Sequence, residues 1–189
     1  INGETKTGLS TFFIDEHIDT GEMILQKEID ILPNETAGEL HDKLMHLGSD
    51  LVLETVELIE KGTVKTIPQP TNTNVKTAYK LNKDNCKIDW TDTLDNIYNK
   101  VRGLSPYPAA WCLLENENSQ LNVKIYKVEK QEQDHDFNLG QLISTKKYVK
   151  VAVKKGFIIL EEIKLPGKRK MDIISLLNGY TFSKDAKML

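Results

Sequence analysis

Cysteine is nearly missing from this chain. Cys86 and Cys112 are the only two, and no C-x-x-C spacing occurs. That excludes a disulfide scaffold and the paired-cysteine zinc and iron–sulfur sites, and it predicts two reduced thiols. Long apolar runs are missing too: no stretch approaches the roughly 18 residues that span a bilayer, and no leader with an apolar core opens the sequence. A membrane is not expected as a partner, and the cytoplasm is the expected compartment. Repeats and low-complexity tracts are absent. Histidine is sparse, and His41 and His46, five positions apart, do not share a helical face closely, so no metal site is expected. Lys168-Arg169-Lys170 follows Gly167 but lacks the earlier glycine of a phosphate loop. What remains is an ordinary apolar content with 28% charged residues, which describes a globular chain rather than a disordered one.

Neither charge dominates the whole, yet the halves differ. Residues 1–92 carry 9 Lys+Arg against 17 Asp+Glu, and residues 93–189 carry 16 against 11. The basic excess concentrates in residues 140–189, with 11 basic and 4 acidic side chains. An acidic first part and a basic second part point to an anionic partner for the second, or to a solvated lysine-rich surface.

The stretch Thr11 to Leu25 reads as two short strands, Thr11 to Ile14 and Met23 to Leu25, around an acidic turn. Gly21 would supply a positive φ at the exit of that turn. Thr36-Ala37-Gly38-Glu39 fits a capping box. Beyond it Leu40, Leu44, Leu47, Leu51 and Leu58, with Val52, Val56 and Ile59, recur at helical spacing, which predicts one apolar face on a long helix ended by Gly62. Residues 63–82 lose all periodicity and include Pro68, Pro70 and Thr71-Asn72-Thr73-Asn74, the composition of a linker. A short helix follows, with Asp92 as its N-cap and Leu94, Ile97 and Val101 inside, stopped by Pro106 and Pro108. Trp111, Leu113, residues 121–125, 148–153 and 157–165 are strand-like, with Lys154-Lys155-Gly156 as a hairpin turn. Asp172 should cap a last helix, 173–177. Several short strands with turns predict a small barrel.

Three motifs go further. Thr7-Gly8-Leu9-Ser10 followed by Asp15-x-x-x-Asp19-Thr20-Gly21 resembles the formyltransferase family that uses 10-formyltetrahydrofolate. Arg102-Gly103-Leu104-Ser105-Pro106-Tyr107-Pro108-Ala109-Ala110-Trp111, and Leu165-Pro166-Gly167-Lys168-Arg169-Lys170-Met171, narrow the resemblance to the methionyl-tRNA formyltransferases. The motifs run in family order over nearly the whole chain. The resemblance implies an α/β part followed by a β part: the remnant of a Rossmann-like formyltransferase domain over 1–62, a linker over 63–82, and an OB-like β-barrel that binds tRNA over 83–189.

It also implies roles. Asp19 would be the catalytic aspartate, and Asp15, Glu16, His17, Ile18, Asp19, Thr20 and Gly21 the folate-binding loop. The co-substrate would be 10-formyltetrahydrofolate, with no metal, and the partner an initiator methionyl-tRNA. Lys80 matches a family lysine near the 3′ end of the bound tRNA. With Arg102, Lys146, Lys147, Lys150, Lys154, Lys155, Lys168, Arg169 and Lys170, it would meet phosphates. In the family an Asn and a His stabilise the oxyanion, and the aspartate pairs with the His. The Asn-x-His motif would lie upstream of Ile1, so the chain resembles the C-terminal part of a monomeric enzyme and is expected to be inactive alone. Two other functions fit less of the sequence. A sugar-amine formyltransferase or formyl-folate hydrolase shares the Asp19 loop but not residues 165–171. A non-enzymatic RNA-binding barrel accounts only for the second part.

Overall fold

The computed structural model describes residues 1–18, 20–70 and 76–189, and places them in two compact units. Asp19 and Thr71 to Val75, the latter within the expected linker, lie outside the described residues.

One unit comprises residues 4–35 and 39–80. Strands β1 (Lys6–Phe12) and β2 (Met23–Asp30) form an antiparallel hairpin from Lys6↔Asp30 to Thr11↔Leu25, and a bulge at Ile24 moves the partner of Phe12 to Met23. Phe13 and Ile14, expected in the first strand, fall beyond its end. Helix α1 (Ala37–Glu60) packs against this hairpin. The Thr11 and Thr55 hydroxyls meet at 2.9 Å, and Thr55 also donates back to Leu51 O. At the helix C-terminus Gly62 takes φ +62°, Gly62 N–H donates to Ile59 O, and Thr63 N–H donates to Leu58 O. That pair of bonds is a Schellman motif, and a left-handed residue there favours glycine.

The predicted single face of α1 is in fact two. Leu40, Leu44, Leu47, Leu51 and Leu58 turn inward with Thr55, whereas Val52, Val56 and Ile59 are exposed, together with Met45 and Leu53. Positions 45, 52, 56 and 59 share a second stripe, well separated around the helix from the first.

The other unit is essentially residues 81–189. It contains α2 (Leu94–Leu104), β3 (Ala110–Asn116), β4 (Ser119–Glu132), β5 (Leu142–Ser144), β6 (Val149–Val153), β7 (Gly156–Lys164), β8 (Met171–Asp172), α3 (Ile173–Leu177) and β9 (Lys187–Met188). The strands run β5-β6-β7-β4-β3-β9, with β8 on β7. The Gln141↔Lys187 bridge, with Leu142 N–H on Ala186 O, brings the last strand back beside the first and closes the sheet. A strand of 14 residues would be too straight for this, and β4 bends through register shifts on either side of Lys127. The inside is filled by alternate residues, among them Ala110, Cys112 and Leu114 from β3, Val149, Val151 and Val153 from β6, and Ile158, Leu160 and Ile163 from β7. Trp111 and Leu113 are therefore the outward positions of their strand.

The N-cap of α2 is Thr93, whose hydroxyl accepts from Asn96 N, and not Asp92. Asp92 bonds Thr93 N and the Asn96 side chain instead. Asp172 does cap α3, accepting from Ser175 N at 2.8 Å, and the Ser175 side chain, together with that backbone bond, holds its carboxyl below the usual range.

Candidate functional site

The turn between β1 and β2 is closed from within. Asp15 Oδ1 accepts from His17 N and from the Thr20 hydroxyl, both at 2.8 Å. Asp15 is thus committed to the loop's own shape. The far side is held by Phe13 N–H on Glu22 O and by Gln69 Nε2 donating to Gly21 O, while Met23 and Ile67 exchange backbone bonds beneath. Gly21 has no positive φ, contrary to expectation. A Cβ built there would lie 1.5 Å from Phe13 O, so the glycine answers a close approach of two backbones rather than a left-handed turn. Ile14 and Ile18 are about nine-tenths exposed, Glu16 and His17 project into solvent beside them, and the loop presents apolar and acidic side chains together. Asp19, the predicted catalytic residue, lies outside the described residues.

The barrel distributes the predicted phosphate-binding residues rather than gathering them. Lys146 and Lys147 lie on the β5–β6 turn, and Lys168, Arg169 and Lys170 follow β7, where Pro166 and Gly167 (φ +72°) make a turn closed by Lys168 N–H on Leu165 O. Antiparallel pairing of β6 with β7 puts those two groups at one end of the strands and Lys154 and Lys155 at the other. The four residue steps of β6 separate the ends by roughly 14 Å. Lys150 lies between, its Nζ 3.7 Å from the centroid of the Phe157 ring. Lys170 is engaged by Glu162 at 2.7 Å. Arg102, half-buried on α2, donates through Nε to Asn99. Lys80 is exposed at the edge of the first unit.

A cleft of about 380 Å³ was not foreseen from the sequence. Leu81, Lys83, Tyr107, Pro108, Trp111 and Lys124 line it, and no carboxylate is among its lining residues. The segment 86–88 pairs with β3 at Trp111: Ile88 N–H donates to Trp111 O and Trp111 N–H to Cys86 O. The indole is fixed because Trp111 Nε1 donates to Lys83 O at 2.6 Å. Lys83 and Lys87 bring their ammonium groups to 5.3 and 5.8 Å from the indole centroid. Lys124 reaches the rim, donating to Pro108 O, and Tyr107 is 84% exposed. The only advance signal was that Tyr107 and Trp111 belong to one motif.

Comparison with known proteins gives the following. The family "Formyl transferase, C-terminal domain" matches residues 80–181, and the family "Formyl transferase" matches residues 1–56. The chain is 57% identical over 188 residues to a methionyl-tRNA formyltransferase of Flavobacterium johnsoniae and 42% identical over 193 residues to one of Bacteroides fragilis. In both cases it is covered completely and spans 60% of the relative's length. Among solved structures, HypX from Aquifex aeolicus matches 94% of this chain and 32% of its own at TM-score 0.68 and 18% identity. An N-formyltransferase from Helicobacter canadensis, in complex with folinic acid and dTDP-3-aminofucose, matches 84% of this chain and 56% of its own at TM-score 0.62 and 23% identity. At those identities the likeness is one of fold.

Proposed function

The chain belongs to the formyl transferase family, and from that premise we propose that it serves an enzyme that moves a formyl group from 10-formyltetrahydrofolate to the amino group of initiator methionyl-tRNA. The observation that carries this reading is similarity along the whole chain to proteins named for that reaction. On this reading Asp15 to Gly21 is the folate loop of a Rossmann-like domain, and the closed sheet is an OB-like tRNA-binding domain. A pterin has apolar faces and polar edges, and it suits a loop that exposes Ile14 and Ile18 beside the carboxylate of Glu16.

Formyl transfer requires the attacking amine to lose a proton and the tetrahedral oxyanion to be stabilised. Asp19 is the proposed partner of a protonated histidine, which it favours by charge. No Asn-x-His motif occurs in these 189 residues, so the chain by itself is proposed to bind without turnover. The test uses the polypeptide extended to the length of its relatives. Asp19→Asn keeps size and removes charge, and formylation of methionyl-tRNA should fall by roughly 10² to 10⁴. A near-normal rate in that variant would overturn the assignment.

A further inference from the structure

We propose that the cleft at Trp111 binds an unpaired nucleotide of RNA, its base stacked on the aromatic side chains that line it, Trp111 and Tyr107, and its phosphates held by Lys83, Lys87 and Lys124. The inference rests on the tRNA reading above and adds to it a site that no comparison assigns. Four observations converge on it. The volume, about 380 Å³, is within the range of small-molecule sites and suits a single base with its sugar. The indole is held by the bond from its Nε1 to Lys83 O, so stacking on it costs little further ordering. Tyr107 stands 84% exposed between two prolines, a large aromatic surface that the fold does not use.

Charge is the fourth observation. Among the described residues neither Lys83 nor Lys87 forms an ion pair, and no lining residue is acidic, so the site has positive charge to complement an anion. Aromatic surface with adjacent cations is the combination that recognises single-stranded nucleic acid: every base has a π-face, and the lysines follow the backbone. A base-paired stem could reach the lysines but could not give up a base to the ring. Asn122, on the rim, offers an amide to a base edge.

The experiment titrates the full chain with a single-stranded octaribonucleotide carrying one 2-aminopurine, with the same strand annealed to its complement, and separately with initiator tRNA. Stacking quenches 2-aminopurine, so saturable quenching is expected with the single strand and none with the duplex. Trp111→Leu and Tyr107→Ala should each weaken single-strand binding about tenfold and reduce the quench, with Trp111→Phe retaining most of both. Lys83→Gln with Lys87→Gln should lower the log–log salt slope by about 1.4. Should Trp111→Leu fail to fold by circular dichroism, Tyr107→Ala decides, since its side chain lies in solvent. If tRNA binds while the single strand goes unquenched, or while the aromatic variants bind and quench as the wild type does, the cleft is not a nucleotide site and the tRNA reading stands. Failure to bind either RNA overturns both.

Discussion

At the scale of the residue, glycine and cysteine show how one atom's surroundings decide its role. Gly21 lacks a Cβ because Phe13 O occupies the space. The sequence revealed that a glycine was needed there, but a missing Cβ serves a left-handed turn and a close approach equally, and only the second holds. Gly21→Ala is therefore expected to unseat the hairpin, since a backbone oxygen cannot yield 1.5 Å cheaply. Thermal melting should show destabilisation well beyond the ~0.5 kcal/mol scale of ordinary surface changes, and a variant melting like the wild type would show that the loop relaxes without cost. Cys112 makes the complementary case. Burial pushes its thiol up to about 12, outweighing the contact with Trp90, and its Sγ meets Met188 Sδ at 3.4 Å, so it is a packing atom and not a nucleophile.

At the scale of the element, local pattern was a good guide wherever one element's own residues decide. The Gly62 terminus of α1, the extent of α3 and its Asp172 cap were legible because capping is local. The N-cap of α2 was misplaced by one residue because Asp92 and Thr93 are both competent caps, and the hydrogen bond goes to Thr93. What periodicity could not say is which side of α1 would be covered, since both of its stripes are apolar at helical spacing. Strands β5 and β9 are too short to carry a pattern at all. The cleft depends on the pairing of residues 86–88 with Trp111, which leaves no local mark.

The junction of β2 with α1 gives a pH test. Glu35, with its side chain 7% exposed, takes Lys43 at 2.7 Å and the Leu32 N–H at 3.0 Å, and Lys43 also donates to Asp30 O. Chiefly because of Lys43, the Glu35 carboxyl titrates below its ordinary value. Its contribution is thus complete above the unfolded value of about 4.3 and is lost as pH falls through the lower folded value. Melts of wild type and Glu35→Gln should differ most near neutrality and converge below pH 4. Parallel curves would mean the pair does not latch the element.

At the scale of the whole molecule, two surfaces make opposite predictions about salt. Basic residues at both ends of β6 and β7 should bind RNA through phosphates, with affinity falling steeply as salt rises. Lys168→Ala combined with Arg169→Ala should lower the log–log slope by about one to two units in a filter-binding series, and an unchanged slope would remove that cluster from the interface. The second stripe of α1, Met45, Val52, Val56 and Ile59, is apolar and exposed, so association through it should persist or strengthen in salt. Val52→Lys with Val56→Lys should shift sedimentation toward the monomer. A wild-type chain that is monomeric at high concentration would show that the stripe is inert.

The closing of the barrel has a consequence in time. Leu113 exchanges both backbone bonds with Leu189, 76 positions later. A ribosome adding roughly 5 to 20 residues each second leaves that edge of β3 without its neighbour for about 4 to 15 seconds. During that interval an open strand edge is available to any other nascent chain, and only the pairing of Leu189 with Leu113 removes it.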